Sequence, residues 1–228
     1  MAAEQALALV VRGTDWSETS RITTLFTREF GKVAALAKGG RRLKSSFDVA
    51  FDLLTVCRVV FLRKAHGGLD LLTEARMAER FPALRENLTA LNAGYYVAEL
   101  LSDGTQDYDP HPDLFDAALD TLRKLGEPGA SAVELVTRFE LVWLKELGYS
   151  PRLDVCTGCG KAVPAGVPRV WFSPAAGGVV CTPCGPASPD RRPVSGDALR
   201  ALAALTTGQP ADPGPVLPEL RAVLGQVV

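Results

Sequence analysis

Hydrophobic and polar positions alternate with a period of two through roughly the first 80 residues and with a helical period afterwards. The chain therefore reads as α+β, strands first and helices after. Residues 22–26 and 32–37 are two alternating runs that flank Arg28-Glu29-Phe30-Gly31, the pattern of a β-hairpin. Residues 5–12, 53–62 and 69–76 add three more runs, separated by turn-forming stretches at Gly13-Thr14-Asp15 and at residues 63–68. Five short strands with no long helix among them suit a small closed barrel better than a sandwich. The five-stranded oligonucleotide-binding (OB) barrel is the candidate.

From Phe81 onward, Leu84, Leu88, Leu91, Tyr95, Ala98 and Leu101 recur every three or four residues and predict the inward face of a first helix. Pro112 opens a second, with Leu114, Phe115, Ala118, Leu119, Leu122 and Leu125 inward and Gly126 as its stop. Ser131-Ala132-Val133-Glu134 has the form of a capping box, Val136, Phe139, Trp143 and Leu147 share one face, and Gly148 and Pro151 end the helix. Leu135 and Val142 widen that face, so this helix is expected to be the most buried. Tyr95, Phe139 and Trp143 read as core packing rather than as base-stacking platforms. Ser195 predicts the cap of a further helix with Leu199, Leu202 and Leu205 inward, and after the Gly/Pro-rich residues 208–215 a last amphipathic turn carries Leu217, Leu220, Val223, Leu224 and Val227. These helices cover the helical core, or present their apolar side to a partner protein.

Two matched knuckles, Cys156-Thr157-Gly158-Cys159-Gly160 and Cys181-Thr182-Pro183-Cys184-Gly185, are separated by 21 residues. Two thiolates two residues apart reach one tetrahedral ion from a single turn, so Cys156, Cys159, Cys181 and Cys184 are the expected ligands of one Zn²⁺. Four thiolates close the coordination sphere, which makes the ion structural; a redox dithiol is the alternative. Residues 169–173 and 178–180 flank Pro174-Ala175-Ala176-Gly177 and predict the hairpin of a zinc ribbon. The expected organisation is a barrel at 1–80, a helical domain at 81–152 and 187–228, and a ribbon inserted at 153–186. Cys57 lies in a predicted strand and reads as a small buried hydrophobe.

At 228 residues and 47% hydrophobic, the chain can build one large or two small cores. The start lacks a basic lead, and its apolar run at residues 6–11 is too short for a signal sequence or a membrane span, so a cytosolic protein without membrane attachment is expected. The net charge of −1 hides an asymmetry. Residues 1–80 hold 13 Lys+Arg against 9 Asp+Glu, whereas the remainder holds 12 against 17, so polyanions are drawn to the first part. Lys38, Arg41, Arg42 and Lys44 cluster around Gly39-Gly40 where the second hairpin strand ends. Four cations on adaptable backbone suit an irregular line of phosphates; a solvated surface loop is the competing reading. Arg21, Arg28, Lys32, Arg58, Arg63 and Lys64 are weaker candidates, since some of them point away.

Catalytic patterns are scarce. Gly31-Lys32 and Gly160-Lys161 lack the rest of a P-loop and no G-x-G-x-x-G occurs, so no nucleotide is expected. His66 and His111 are without a nucleophile or a metal-ligand pattern. The balance favours binding over catalysis, with a zinc-ribbon protein adaptor and a zinc hydrolase as the competing classes.

The order of motifs resembles the RecO family of bacterial recombination mediators. The similar residues are Glu18 and Arg21, Thr27-Arg28-Glu29-Phe30-Gly31, Ala37-Lys38-Gly39 with Arg41-Arg42, and Tyr95 with Glu99. They continue through Phe139-Glu140, Leu144 and Leu147-Gly148-Tyr149-Ser150-Pro151 into the cysteine knuckles. The resemblance spans essentially the whole chain. It implies an N-terminal OB barrel, a helical C-terminal domain and an embedded zinc ribbon. It further implies a cytoplasmic, nucleoid-associated protein, not an enzyme, that binds single- and double-stranded DNA and anneals complementary strands. The implied partners are RecR and single-strand-binding protein, with which it helps RecA load on covered DNA in repair. Some relatives lack the four cysteines, which implies that the metal supports local structure.

Overall fold

The computed structural model describes residues 2–39, 47, 52–64, 68–164, 166–207, 209 and 213–225. It is a mixed α+β protein that divides into two compact units, residues 1–132 and 133–228. The first holds strands β1 (Ala2–Asp15), β2 (Arg21–Thr27), β3 (Gly31–Ala37), β4 (Val56–Arg63) and β5 (Asp70–Glu79), and helices α1 (Leu88–Asp103) and α2 (Pro112–Leu125). The second holds helix α3 (Ala132–Glu146), strands β6 (Arg169–Ser173), β7 (Gly178–Val180) and β8 (Arg192–Ser195), and helices α4 (Gly196–Thr206) and α5 (Leu217–Leu224).

The strand order β1-β2-β3-β5-β4 closes on itself, because the long β1 pairs with β2 along its later half and with β4 along its earlier half. All neighbours are antiparallel except β3 and β5, whose parallel seam has only three pairs, Ala35–Asp70, Leu36–Leu71 and Ala37–Leu72. Alternation places Val33, Ala35 and Ala37 of β3 inside, with Ala8, Val10, Leu25, Cys57, Val59, Phe61, Leu72 and Ala75 from the other strands. Phe47 joins this core beside Ala75. The small alanines leave room for Phe61, which meets Phe30 edge-on at 5.6 Å between ring centroids.

On β1 and β2 the alternation breaks because both faces are covered. Leu9 and Phe26 point away from the barrel core yet are fully buried, and Phe26 stacks on Phe115 of α2 at 6.4 Å. The two helices thus belong with the barrel. The inward face of α1 differs from the expected stripe: Leu88 and Tyr95 are exposed, while Ala90, Gly94, Val97, Ala98 and Leu101 are buried. Close approach explains this. A Cβ on Gly94 would stand 2.9 Å from a Leu54 methyl and 3.2 Å from one of Leu122, so the helix settles on a small residue there and Leu88 and Tyr95 are turned outward. The helix also starts later than the stripe suggests. Pro82–Glu86 forms a 3₁₀ turn, and the Asn87 side chain then accepts from the amides of Thr89 and Ala90.

In the second unit α3 ends at Gly148, whose φ of +80° lets the Tyr149 amide reach back to the Leu144 carbonyl at 2.7 Å. It is not the most buried helix, since α2 buries seven residues as it does. Seven includes Glu140, which is fully buried and ion-paired with Arg221 of α5. The hairpin β6–β7 forms at the expected residues, and β8 adds a third strand beside β6. The ribbon sheet therefore runs past residue 186, directly into α4.

Candidate nucleic-acid interface and metal centre

Of the ten candidate cations, Arg41, Arg42 and Lys44 lie outside the described residues. Lys38 is exposed and follows the last β3 residue of the β3–β5 seam. At the seam's other end, buried Asp70 accepts from the Lys64 amide at 2.9 Å, and Arg63 and Lys64 are exposed beside it. By register Lys38 stands level with residue 73 and Lys64 with residue 69, about 13 Å apart along the strands and about 10 Å across them, so the two cations flank the seam from opposite ends. Arg63 stacks on the Tyr108 ring at 3.9 Å, which fixes its guanidinium without neutralising it.

Three other candidates are committed within their own unit. Arg28 makes a two-pronged pair with Asp116 of α2 at 3.0 and 2.9 Å. The bonded guanidinium holds the Asp116 carboxyl below its ordinary value and is itself raised. Lys32 is mostly buried; its ammonium donates to the carbonyls of Ser102 and Thr105, both at 2.7 Å, where α1 ends. A cation there meets the negative end of the helix dipole. Arg21 lies over Gly13, 3.5 Å from the Asp15 carboxylate. Arg58 is exposed on the far side of β4, where the register sets it opposite Arg76; Glu74 is 3.8 Å from Arg76, so that patch has mixed charge. Arg76 is a surface cation that linear reading misses, and cross-strand register is the signal that finds it.

The four cysteines meet at the ribbon's end. All four sulfurs lie within 4.8 Å of one another, close enough to hold a metal ion. Around a tetrahedral ion with bonds of about 2.3 Å, sulfurs stand about 3.8 Å apart, and Cys159 and Cys181 are 3.8 Å apart here. Each knuckle is a tight turn: the Gly160 amide donates to the Cys156 carbonyl at 2.8 Å and the Gly185 amide to that of Cys181 at 2.9 Å. The two glycines do different work. Gly160 takes φ +72°, whereas a Cβ on Gly185 would press on the Trp171 ring at 3.0 Å. Cys156 is buried, which pushes its thiol up, but hydrogen bonds from the amides of Cys181, Cys159 and Gly158 outweigh this and bring it down to about 6. Hydrogen bonds with the Cys181 and Cys159 thiols push Cys184 up to about 12. Cys57 lies apart in the barrel, pushed up to about 12 by burial. Among the described residues no helix is long and apolar enough to cross a membrane.

Comparison with known proteins covers the chain end to end. A family model described as Recombination protein O N terminal matches residues 1–81, and one described as Recombination protein O C terminal matches residues 85–228. The chain is similar to the DNA repair protein RecO of Rhodopirellula baltica, 42% identical over 201 residues that cover 88% of this chain and 74% of that protein. Its similarity to the DNA repair protein RecO of Myxococcus xanthus is 36% over 215 residues, 94% of this chain and 85% of that one. To that of Desulfitobacterium hafniense it is 35% identical over 212 residues, 92% and 76% of the two chains.

Proposed function

This chain belongs to the recombination protein O (RecO) family of DNA repair proteins, and from that premise we propose that it binds single- and double-stranded DNA through its amino-terminal barrel and anneals complementary strands. With RecR it helps RecA load onto DNA covered by single-strand-binding protein, acting in the cytoplasm at the nucleoid and catalysing no covalent step. The sheet order β1-β2-β3-β5-β4 with its one parallel seam supports reading the barrel as an OB fold. The remainder reads as a helical domain, 81–152 and 187–228, around the ribbon insert 153–186.

The observation that carries the proposal is the pairing of exposed cations at both ends of the β3–β5 seam, Lys38 at one and Arg63 with Lys64 at the other. Lys38, Arg41, Arg42 and Lys44 are the principal phosphate contacts, with Arg63 and Lys64 next. Arg58 is peripheral, and Arg21, Arg28 and Lys32 contribute mainly by holding the barrel together. Neutralised backbones let two complementary strands approach without any base being read. The four cysteines hold one Zn²⁺, which fixes the two knuckles and leaves no open coordination position.

A gel shift with an unstructured oligonucleotide at low and moderate salt tests the proposal. Four phosphate contacts give a log–log salt slope of about −3 for single strands. Replacing Lys38, Arg41, Arg42 and Lys44 with alanine together flattens that slope; an unchanged slope moves the site elsewhere, and no binding at low salt leaves a protein adaptor as the reading.

A further inference from the structure

The chain has three tryptophans. Trp143 is buried in α3, and Trp171 packs between Gly185 and Arg191. Trp16 stands 65% exposed at the tip of the β1–β2 hairpin. That tip is a closed turn: the amides of Trp16 and Ser17 both donate to the Ser20 carbonyl, and the Ser20 amide returns a bond to the Ser17 hydroxyl. A large aromatic ring held out into water on a fixed turn is available to stack on a flat partner.

Its neighbourhood says which contact. The register aligns Asp15, Arg21 and Ala37 across β1, β2 and β3, so Trp16, Ser20 and Lys38 follow at the same edge of the barrel. Two strand spacings, about 10 Å, separate the backbones of Trp16 and Lys38. Among the described residues the acids of that corner are Asp15, drawn to Arg21 at 3.5 Å, and Glu18 on the tip itself. Glu18 makes the tip a poor seat for phosphate and leaves the ring face as its useful surface.

We propose that Trp16 is a stacking platform for a base of single-stranded DNA whose backbone phosphates lie toward Lys38. Stacking accepts any base, because every base has a π-face, and it is lost when bases are paired inside a duplex. The platform therefore favours single strands over duplex without reading sequence, a preference the phosphate contacts alone do not supply. This inference rests on the DNA-binding reading given above.

The test uses the full chain, an unstructured thymidine oligonucleotide and the variants Trp16→Ala and Trp16→Phe. The oligonucleotide should quench the tryptophan emission of the unaltered protein, and Trp16→Phe should abolish that response. Trp16→Ala should weaken single-strand binding about tenfold or more with the salt slope unchanged, while Trp16→Phe retains most of the affinity and duplex binding changes little. Full quenching that persists in Trp16→Phe, or unaltered affinity of Trp16→Ala, overturns the proposal. Failure of the unaltered protein to bind at low salt overturns the DNA-binding reading as well, so the two failures are told apart.

Discussion

Replacing Gly31 with alanine should destabilise the barrel unit far more than a methyl group ordinarily does. Gly31 sits at φ +68°, a conformation that costs a residue with a Cβ about 1–2 kcal/mol. The added Cβ would also fall 2.0 Å from the carbonyl oxygen of Asp109 and 2.4 Å from its carbon. Those are backbone atoms that cannot rotate aside, so residues 108 and 109 must retreat, at an overpacking cost of about 1–3 kcal/mol. The retreat pulls on the Tyr108 amide bond to the Lys32 carbonyl, 3.0 Å, and on the Lys32–Asp107 pair. The sum is about 2–5 kcal/mol, which lowers the midpoint of thermal unfolding by roughly 5–20 °C. Gly129→Ala is the matched control: φ is +78° and nothing lies within 4 Å of the added Cβ, so only the backbone cost remains. Both variants are compared by thermal and urea unfolding followed by circular dichroism. If Gly31→Ala melts within about 2 °C of Gly129→Ala, the close approach of Asp109 is not what requires glycine at this turn.

Lys32→Met should lose about 2–4 kcal/mol of stability with its two charge-assisted bonds to the end of α1, and leave the salt slope of DNA binding unchanged. A slope shallower by about 0.7 would instead place Lys32 on a phosphate. Cys181→Ser, or a strong chelator, should remove about one metal ion per chain and open residues 153–186 to protease while residues 1–132 stay resistant. Retention of the ion by the serine variant would refute four-sulfur ligation. Arg28 and Arg123 hold Asp116 and Glu79 below the ordinary carboxylate values, so the unfolded chain takes up those protons first. The stability they contribute is present above about pH 5 and is lost as pH falls through 4 and below. A chain carrying Arg28→Gln and Arg123→Gln should lose less stability than the unaltered protein over that window; parallel acid limbs would count against the two pairs.

Local pattern carried much of the fold. The hairpin of β2 and β3 and that of β6 and β7 were readable because alternation and turn residues agreed. The knuckles were readable because metal chemistry fixes their spacing. What escaped the sequence depends on distant contacts. The strand β8 is hidden by Pro193, which reads as a break yet sits on a sheet edge where no amide is needed. Strand β4 starts at Val56 rather than Leu53 because Leu54 takes φ +64° to pack under α1. The inward face of α1 was read correctly at Ala98 and Leu101 but not at Leu88 and Tyr95, because periodicity ranks residues by hydrophobicity, whereas Leu54 and Leu122 select Gly94 for its size. Within the candidate site, charge along the chain marked Lys38 and Lys64. It could not foresee that Asp116 and the end of α1 occupy Arg28 and Lys32, since those partners lie some 70 to 90 residues away.

Ser195 closes β8, caps α4 by accepting from the Ala198 amide, and is gripped by the Glu219 carboxylate of α5 through both its amide and its hydroxyl. One residue is thus the joint of three elements: because β8 also pairs with β6, the sheet that carries the sulfur cluster and the last two helices share Ser195 as a common support.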